Sequence, residues 1–300
     1  MSSSMLSSGD LLADRRYAYA MAAAKEGDHE AAADLLEQTL EIVPLWPPAL
    51  LALGDARLAL GAPDAAIAAW QQALAGEPED RLGARPRLAR LGIGVAETAV
   101  SDAYIRALFD DYANRFDSHL RGALAYSGPE IIMAALEQVA PNARFARVLD
   151  LGCGTGLMGE AIRARADWLG GCDLSPAMVA KAKDKTIYDD LKAESLLDYL
   201  RGKNAALVLA ADVLVYIGDL APIYAAVAAA LPQGGLFAFT VQKGAEGVTL
   251  GADLRYAHSP AQLRLWAAEN GFEVLALEDC ATRLDRGVPV PGLVGVLRKV

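Results

Sequence analysis

The stretch that most constrains the chain is Arg147-Val-Leu-Asp-Leu-Gly-Cys-Gly-Thr-Gly156, an apolar run closed by an acid and then by glycines on alternate positions. Val148, Leu149 and Leu151 suit a strand buried on both faces. Gly152, Gly154 and Gly156 permit positive φ and let a ligand approach the backbone, and Leu157 to Ala166 continue at helical spacing. Strand, tight turn and helix in that order are the opening of a parallel α/β sheet with a ligand at its turn. Gly154-Thr-Gly-Leu-Met-Gly159 also spells the GxGxxG of a dinucleotide site, so the glycines alone leave two ligand classes open.

Asp150 separates them. A helix N-terminus that holds a pyrophosphate would be opposed by an acid at the strand end, whereas a cationic ligand would be held by it. S-adenosylmethionine carries a sulfonium and an α-ammonium. The run Val148 to Gly156 resembles the first motif of class I S-adenosylmethionine-dependent methyltransferases. That resemblance implies cofactor contacts from Asp150, Gly152, Cys153, Gly154 and Gly156.

Downstream, the α/β alternation continues with Trp168 to Asp173 as a second strand. Asp173, 17 residues beyond Gly156, stands where either kind of enzyme places an acid for the ribose hydroxyls. The following Leu174-Ser-Pro-Ala-Met178 starts a helix with Ser175 as cap and Pro176 at its first position. It resembles the second methyltransferase motif, which implies that Leu174 and Met178 pack on adenine; an ordinary core role for Met178 is the plain alternative. By the same resemblance Glu194 and Ser195 reach the adenine edge, with Glu where the family usually has Asp. Leu207 to Ala210 make a fourth strand, and Ala211, Asp212 and Tyr216 beyond its carboxyl end should face the reaction centre. A helix over 219–231, a fifth strand over 236–241, a loop over 243–254, a helix begun by Arg255 to Pro260 and running to Asn270, and strands over 272–278 and 294–299 complete the pattern.

Upstream, Gly27 and Gly61, Ala32 and Ala66, and Pro44 and Pro78 are each 34 residues apart. That period is the tetratricopeptide signature, with an alanine-rich helical hairpin as the simpler reading. Two copies need a cap, which the segment 82–96 with Arg81, Arg85, Arg87 and Arg90 would supply. Tyr104, Phe109, Tyr112 and Phe116 then recur at near-helical spacing, ahead of His119 and Tyr126. An ordinary packing stripe explains part of this. The segment also resembles the lid helix of small-molecule methyltransferases, and Phe109 to His119 behind such repeats resembles a bacterial group of methyltransferases containing tetratricopeptide repeats. The resemblance implies an α/β Rossmann-like methyltransferase domain with a seven-stranded, mostly parallel sheet over 146–300. An all-α repeat domain over 11–100, lid helices over 101–145 and a disordered leader over 1–10 would precede it.

A net charge of −10, with both halves acidic, argues against a nucleic-acid partner. No apolar run approaches a membrane span, and three cysteines without metal spacing suit a reducing, cytoplasmic setting. No Asp and Asn set for Mg²⁺ is evident, and the proline-aromatic motif of amide and base methyltransferases is missing after Asp212. The expected acceptor is therefore a small molecule offering a hydroxyl, carboxyl or thiol. In-line transfer is mostly positioning, with a base wanted only where a proton must leave. His258, beside Arg255 and Tyr256, is favoured over the lid residue His119, and Tyr216 would assist; a capping role for His258 is as good a reading. The lid set Tyr104, Tyr112, Phe116, Tyr126 and Tyr256 would shape the acceptor pocket. The repeats would recruit a protein partner or cover the site. Competing readings are an interaction scaffold with a non-catalytic cofactor fold, and an NAD(P)-binding oxidoreductase.

Overall fold

A computed structural model describes residues 7–116, 126–285 and 287–300. The chain divides into two compact units between Asp111 and Tyr112.

The first unit is all helical: α1 (Leu11–Glu26), α2 (His29–Ile42), α3 (Pro47–Ala59), α4 (Pro63–Gly76), α5 (Ala84–Arg90) and α6 (Asp102–Tyr112), the last meeting the division. Consecutive helices pack on one another from α1 to α5. Asp10 caps α1 through the amides of Leu12 and Ala13, and Ser8 bonds Asp14 at 2.6 Å, so residues 7–10 of the expected leader are built into the helix start. The 34-residue period becomes structure at two levels. Gly27 and Gly61 both end helices in the left-handed region, and Ala20 and Leu36 of one pair take the places of Gly54 and Trp70 in the next. The expected capping helix over 82–96 is shorter: α5 stops at Arg90, and Gly92 and Gly94, both at positive φ, carry the chain away. Its basic face is engaged within the unit, with Arg87 on Asp55 at 2.7 Å and Arg85 on the Pro78 carbonyl at 2.7 Å. Tyr104 lies over Gly83, 2.7 Å from where a Cβ would stand, rather than on a lid.

The second unit is a three-layer α/β sandwich. Its sheet runs β3 (Asp190–Ala193), β2 (Ala166–Asp173), β1 (Phe145–Leu151), β4 (Leu207–Ala210), β5 (Leu236–Lys243), β11 (Gly292–Lys299), β8 (Phe272–Cys280). β1 to β5 are parallel, and β11 is antiparallel to both of its neighbours. The sheet is mixed and nine-stranded rather than seven-stranded. The expected loop and helix start over 243–258 instead fold β6 (Val248–Leu250) and β7 (Tyr256–His258), and β7 pairs with the end of β5. Both are short segments whose alternation is too brief to mark them in sequence. A separate hairpin, β9 (Leu284–Asp285) with β10 (Val288–Pro289), joins the last two sheet strands.

Alternate residues of each central strand face opposite layers. Leu207, Leu209, Leu236 and Ala238 join α7 (Gly128–Val139) and α8 (Leu157–Ile162) on one side. Val208, Ala210, Phe237 and Phe239 join α10 (Leu196–Leu200), α11 (Ala221–Ala230) and α12 (Pro260–Glu269) on the other. α9 (Pro176–Asp184) links β2 to β3. Because both faces are covered, the strands read as unbroken apolar runs. α7 falls in the segment expected as lid, yet Ile132 and Leu136 bury it against the sheet.

Candidate functional site

The glycine loop follows β1 and opens α8, with Gly152, Gly154 and Gly156 all at positive φ. Asp173, at the end of β2, ties it down: one carboxylate oxygen accepts the Gly154 amide at 3.0 Å and the other the Ser175 amide at 2.9 Å. Ser175 then caps α9 through the Met178 amide. The Cys153 amide donates to the Cys172 carbonyl at 2.8 Å, and burial pushes the Cys153 thiol well above its ordinary value. Leu174 is half-buried, Met178 fully buried, and Glu194 half-buried beside Ser195, whose hydroxyl caps α10.

Asp150 is wholly enclosed. Its Oδ2 accepts the Tyr188 hydroxyl at 2.6 Å, while Oδ1 has no hydrogen-bond partner among the described residues. Burial, reinforced by Asp173, raises its carboxyl to about 7, against the lowering effect of the Tyr188 bond. A buried oxygen without a donor is costly and marks a place prepared for one. An acceptor atom of that kind beside a glycine loop fits the ammonium end of the cofactor expected from sequence.

Tyr188 carried no signal in the sequence. It precedes β3 outside any motif, yet its ring fills the space under the loop. A Cβ at Gly159 would stand 2.2 Å from its hydroxyl oxygen, and one at Gly171 2.9 Å from its ring. The last glycine of the GxGxxG string is thus required by a tyrosine that holds Asp150, not by a pyrophosphate. This removes the main support for the dinucleotide reading.

A second group of side chains lies beyond the carboxyl ends of β4 and β5. Asp212 takes a left-handed φ of 56°, a conformation few non-glycine residues adopt. Its amide donates to Thr240 at 2.9 Å, and its carboxylate receives the hydroxyls of Thr240 at 3.3 Å and Thr282 at 3.0 Å. Arg255 Nε donates to the Tyr216 hydroxyl at 3.1 Å, with the guanidinium 5.5 Å from that ring. Tyr112 stands in the field of Tyr216 and Arg255, and its own hydroxyl is raised chiefly by burial. Tyr126 is enclosed, its hydroxyl raised first by burial and then by Asp212 and Asp150, which places it between the two groups. The Tyr112 and Phe116 rings meet edge to face at 5.2 Å, and Phe116 comes within 3.8 Å of the Cβ position of Gly154. Lid and strand-end residues named from sequence are therefore brought to one face, joined by Thr240, Thr282 and Arg283, which sequence did not single out.

Two expected members stand apart. Tyr256 is fully buried in β7. His258 is fully buried, its Nε2–H shared between the carbonyls of Ile217 at 3.0 Å and Gly218 at 3.1 Å, and burial drives its pKa down to about 4. It fastens β7 to the segment after β4. His119 lies outside the described residues. Ala211 is half-buried at the end of β4.

Residues 149–237 match the family described as a methyltransferase domain. No curated protein matches. Among solved structures, the chain is similar to the 1,6-didemethyltoxoflavin-N1-methyltransferase of Burkholderia thailandensis with its acceptor and S-adenosylhomocysteine bound (TM-score 0.54, 17% identity, 66% of this chain and 88% of that one). It is also similar to a DhpI complex with S-adenosylhomocysteine (TM-score 0.50, 21% identity, 66% and 96%) and to the [4+2]-cyclase SpnF (TM-score 0.52, 18% identity, 65% and 94%). The last is a cyclase, so likeness at this level carries the fold and not the reaction. The fold is the Rossmann-like methyltransferase fold with a mixed sheet. No described helix is long and apolar enough to cross a membrane.

Proposed function

We propose that the second unit transfers a methyl group from S-adenosylmethionine to a hydroxyl, carboxyl or thiol of a small molecule. The methyltransferase-domain match and the S-adenosylhomocysteine complexes indicate the cofactor. The observation that carries the reading is the unpartnered, buried Oδ1 of Asp150 beside a glycine loop pinned by Asp173.

When bound, S-adenosylmethionine supplies an electrophilic methyl carbon on a sulfonium. Asp150 would accept from its ammonium, Asp173 from the ribose, and Glu194 with Ser195 from the adenine edge, with Leu174 and Met178 against the ring. Gly152, Cys153, Gly154 and Gly156 give the backbone close approach. Tyr112, Phe116, Tyr126, Ala211, Asp212 and Tyr216 would hold the acceptor in line, and such positioning supplies most of the rate. His258 takes no part in proton transfer in this scheme, because its donor is committed and its ring stays neutral at physiological pH. An acceptor already ionised in solution needs no base.

The first unit is proposed as a pair of tetratricopeptide-like repeats that recruit a protein partner or the substrate. Three cysteines without a disulfide suit a cytoplasmic protein. Titration calorimetry with S-adenosylmethionine and with NADH tests the reading. Micromolar binding of the first, lost in Asp150→Ala, supports it; binding of NADH alone would overturn it.

A further inference from the structure

Two cations are enclosed at the strand ends, and one carboxylate oxygen serves both. Arg283, its side chain 7% exposed, donates from Nη2 to Asp253 Oδ2 at 3.2 Å, and Arg255 Nη1 lies 3.7 Å from the same oxygen. The other oxygen of Asp253 accepts the backbone amide of Arg255 at 3.2 Å. Among the described residues, Asp212 is the second carboxylate whose field reaches both guanidiniums, and its oxygens already receive the hydroxyls of Thr240 and Thr282. Arg283 is held below its ordinary value by burial and next by repulsion from Arg255.

A buried cation without a matched anion is expensive, and a guanidinium presents five donors in a fixed fork. Arg283 has one printed bond and Arg255 two, counting the Tyr216 hydroxyl, so most of their donors face the cleft without a carboxylate to match. Beside them stand the ring of Tyr216, at 5.5 Å from the Arg255 guanidinium, and the edge-to-face pair of Tyr112 and Phe116. The charge calls for an oxyanion and the rings for a flat apolar body.

Resting on the methyltransferase reading, we infer that the acceptor is a small aromatic carboxylate, its carboxylate received by Arg255 and Arg283. Asp253 holds the two guanidiniums apart in its absence, and the ligand completes the set.

The test uses the full chain saturated with S-adenosylhomocysteine. Calorimetry measures 4-hydroxybenzoate, salicylate and 3-(4-hydroxyphenyl)propanoate against the corresponding neutral amides. The expected result is at least about tenfold tighter binding of an acid than of its amide, a preference abolished in Arg283→Gln. Asp253→Asn, a partly exposed site, guards against misfolding of that variant: it should tighten the acids severalfold and leave the amides unchanged. Equal binding of acids and amides, or binding of neither while S-adenosylhomocysteine binds, would overturn the inference. Acid preference without any S-adenosylhomocysteine binding would instead sink the methyltransferase reading and leave the anion site standing.

Discussion

The Tyr188 hydroxyl donates to Asp150 at 2.6 Å and satisfies one oxygen of a fully buried carboxylate whose other oxygen has no partner among the described residues. The arrangement is half of a binding site. The tyrosine orients the carboxylate, and desolvation raises its pKa to about 7, so near neutrality it divides between a neutral and an anionic form. Only the anion neutralises a cationic ligand.

Cofactor affinity should therefore depend on pH through Asp150. Below about 7, binding S-adenosylmethionine must expel a proton, so its affinity should fall by up to about tenfold per pH unit between pH 7 and pH 5 and level off above pH 8. Calorimetry at pH 6 in two buffers of different ionisation enthalpy should register close to one proton released per site, and almost none at pH 8.5. Asp150→Asn should bind weakly and without this dependence. An affinity that is flat from pH 5 to 8 in the unaltered protein would contradict the assignment.

Stability should respond to pH through two buried groups of opposite sign. Asp150, raised from 3.8 to about 7, keeps a proton in the folded chain that the unfolded chain has lost, so its contribution falls as pH rises through that window. His258, lowered from 6.5 to about 4, stays neutral when the unfolded chain is protonated, so its contribution falls as pH drops below 6.5. Each slope is at most about 1.4 kcal/mol per pH unit, and the two oppose each other between about pH 4 and 6.5. In chemical denaturation, Asp150→Asn minus unaltered protein should gain stability as pH rises from 5 to 7. His258→Gln minus unaltered protein should gain it as pH falls from 6.5 to 4.5. Difference curves of the same sign would refute the pairing.

Gly159 should tolerate no side chain while Tyr188 is present. A Cβ there would lie 2.2 Å from the hydroxyl oxygen and 2.4 Å from Cζ, so Gly159→Ala must displace the ring and with it the bond to Asp150. A loss of about 1–3 kcal/mol is expected, together with weaker cofactor binding. Tyr188→Phe removes only the nearer clash, so the double variant should recover part of the stability and none of the binding. Additive losses would show that the ring is not the obstacle.

The sequence made the glycine loop, the strand order up to β5 and the acids Asp150, Asp173 and Asp212 legible because each belongs to a local pattern of strand, turn and helix. Tyr188, Thr240, Thr282 and Arg283 are not part of such patterns. Thr282 reaches Asp212 across 70 residues, and Tyr188 reaches Asp150 across 38, distances that only the folded sheet closes. His258 shows the converse. Its neighbours Tyr256 and Arg255 invited a catalytic role, but the pairing of β7 with β5 pulls the ring inward against two carbonyls. A three-residue strand gives no periodicity from which that could be read.

In the first unit the two helical pairs solve one packing problem with different volumes. Gly54 faces Trp70 so closely that a Cβ would stand 2.3 Å from the indole nitrogen, which donates to Leu51 and Asp55 at 3.2 Å each. At the positions 34 residues earlier, Ala20 and Leu36 are both buried in one cluster. Small against very large in one pair corresponds to slightly larger against smaller in the other. Gly54→Ala alone should cost about 1–3 kcal/mol through overpacking, and Trp70→Leu alone about 2–4 kcal/mol through a cavity and the lost indole bonds. Together they install the Ala and Leu of the first pair, so the added methyl enters space that the indole has vacated. The double variant should then be more stable than the sum of the single losses by at least about 1 kcal/mol in chemical denaturation. Strict additivity would mean that the two pairs do not share one packing geometry, and that the 34-residue period reflects composition rather than a structural repeat.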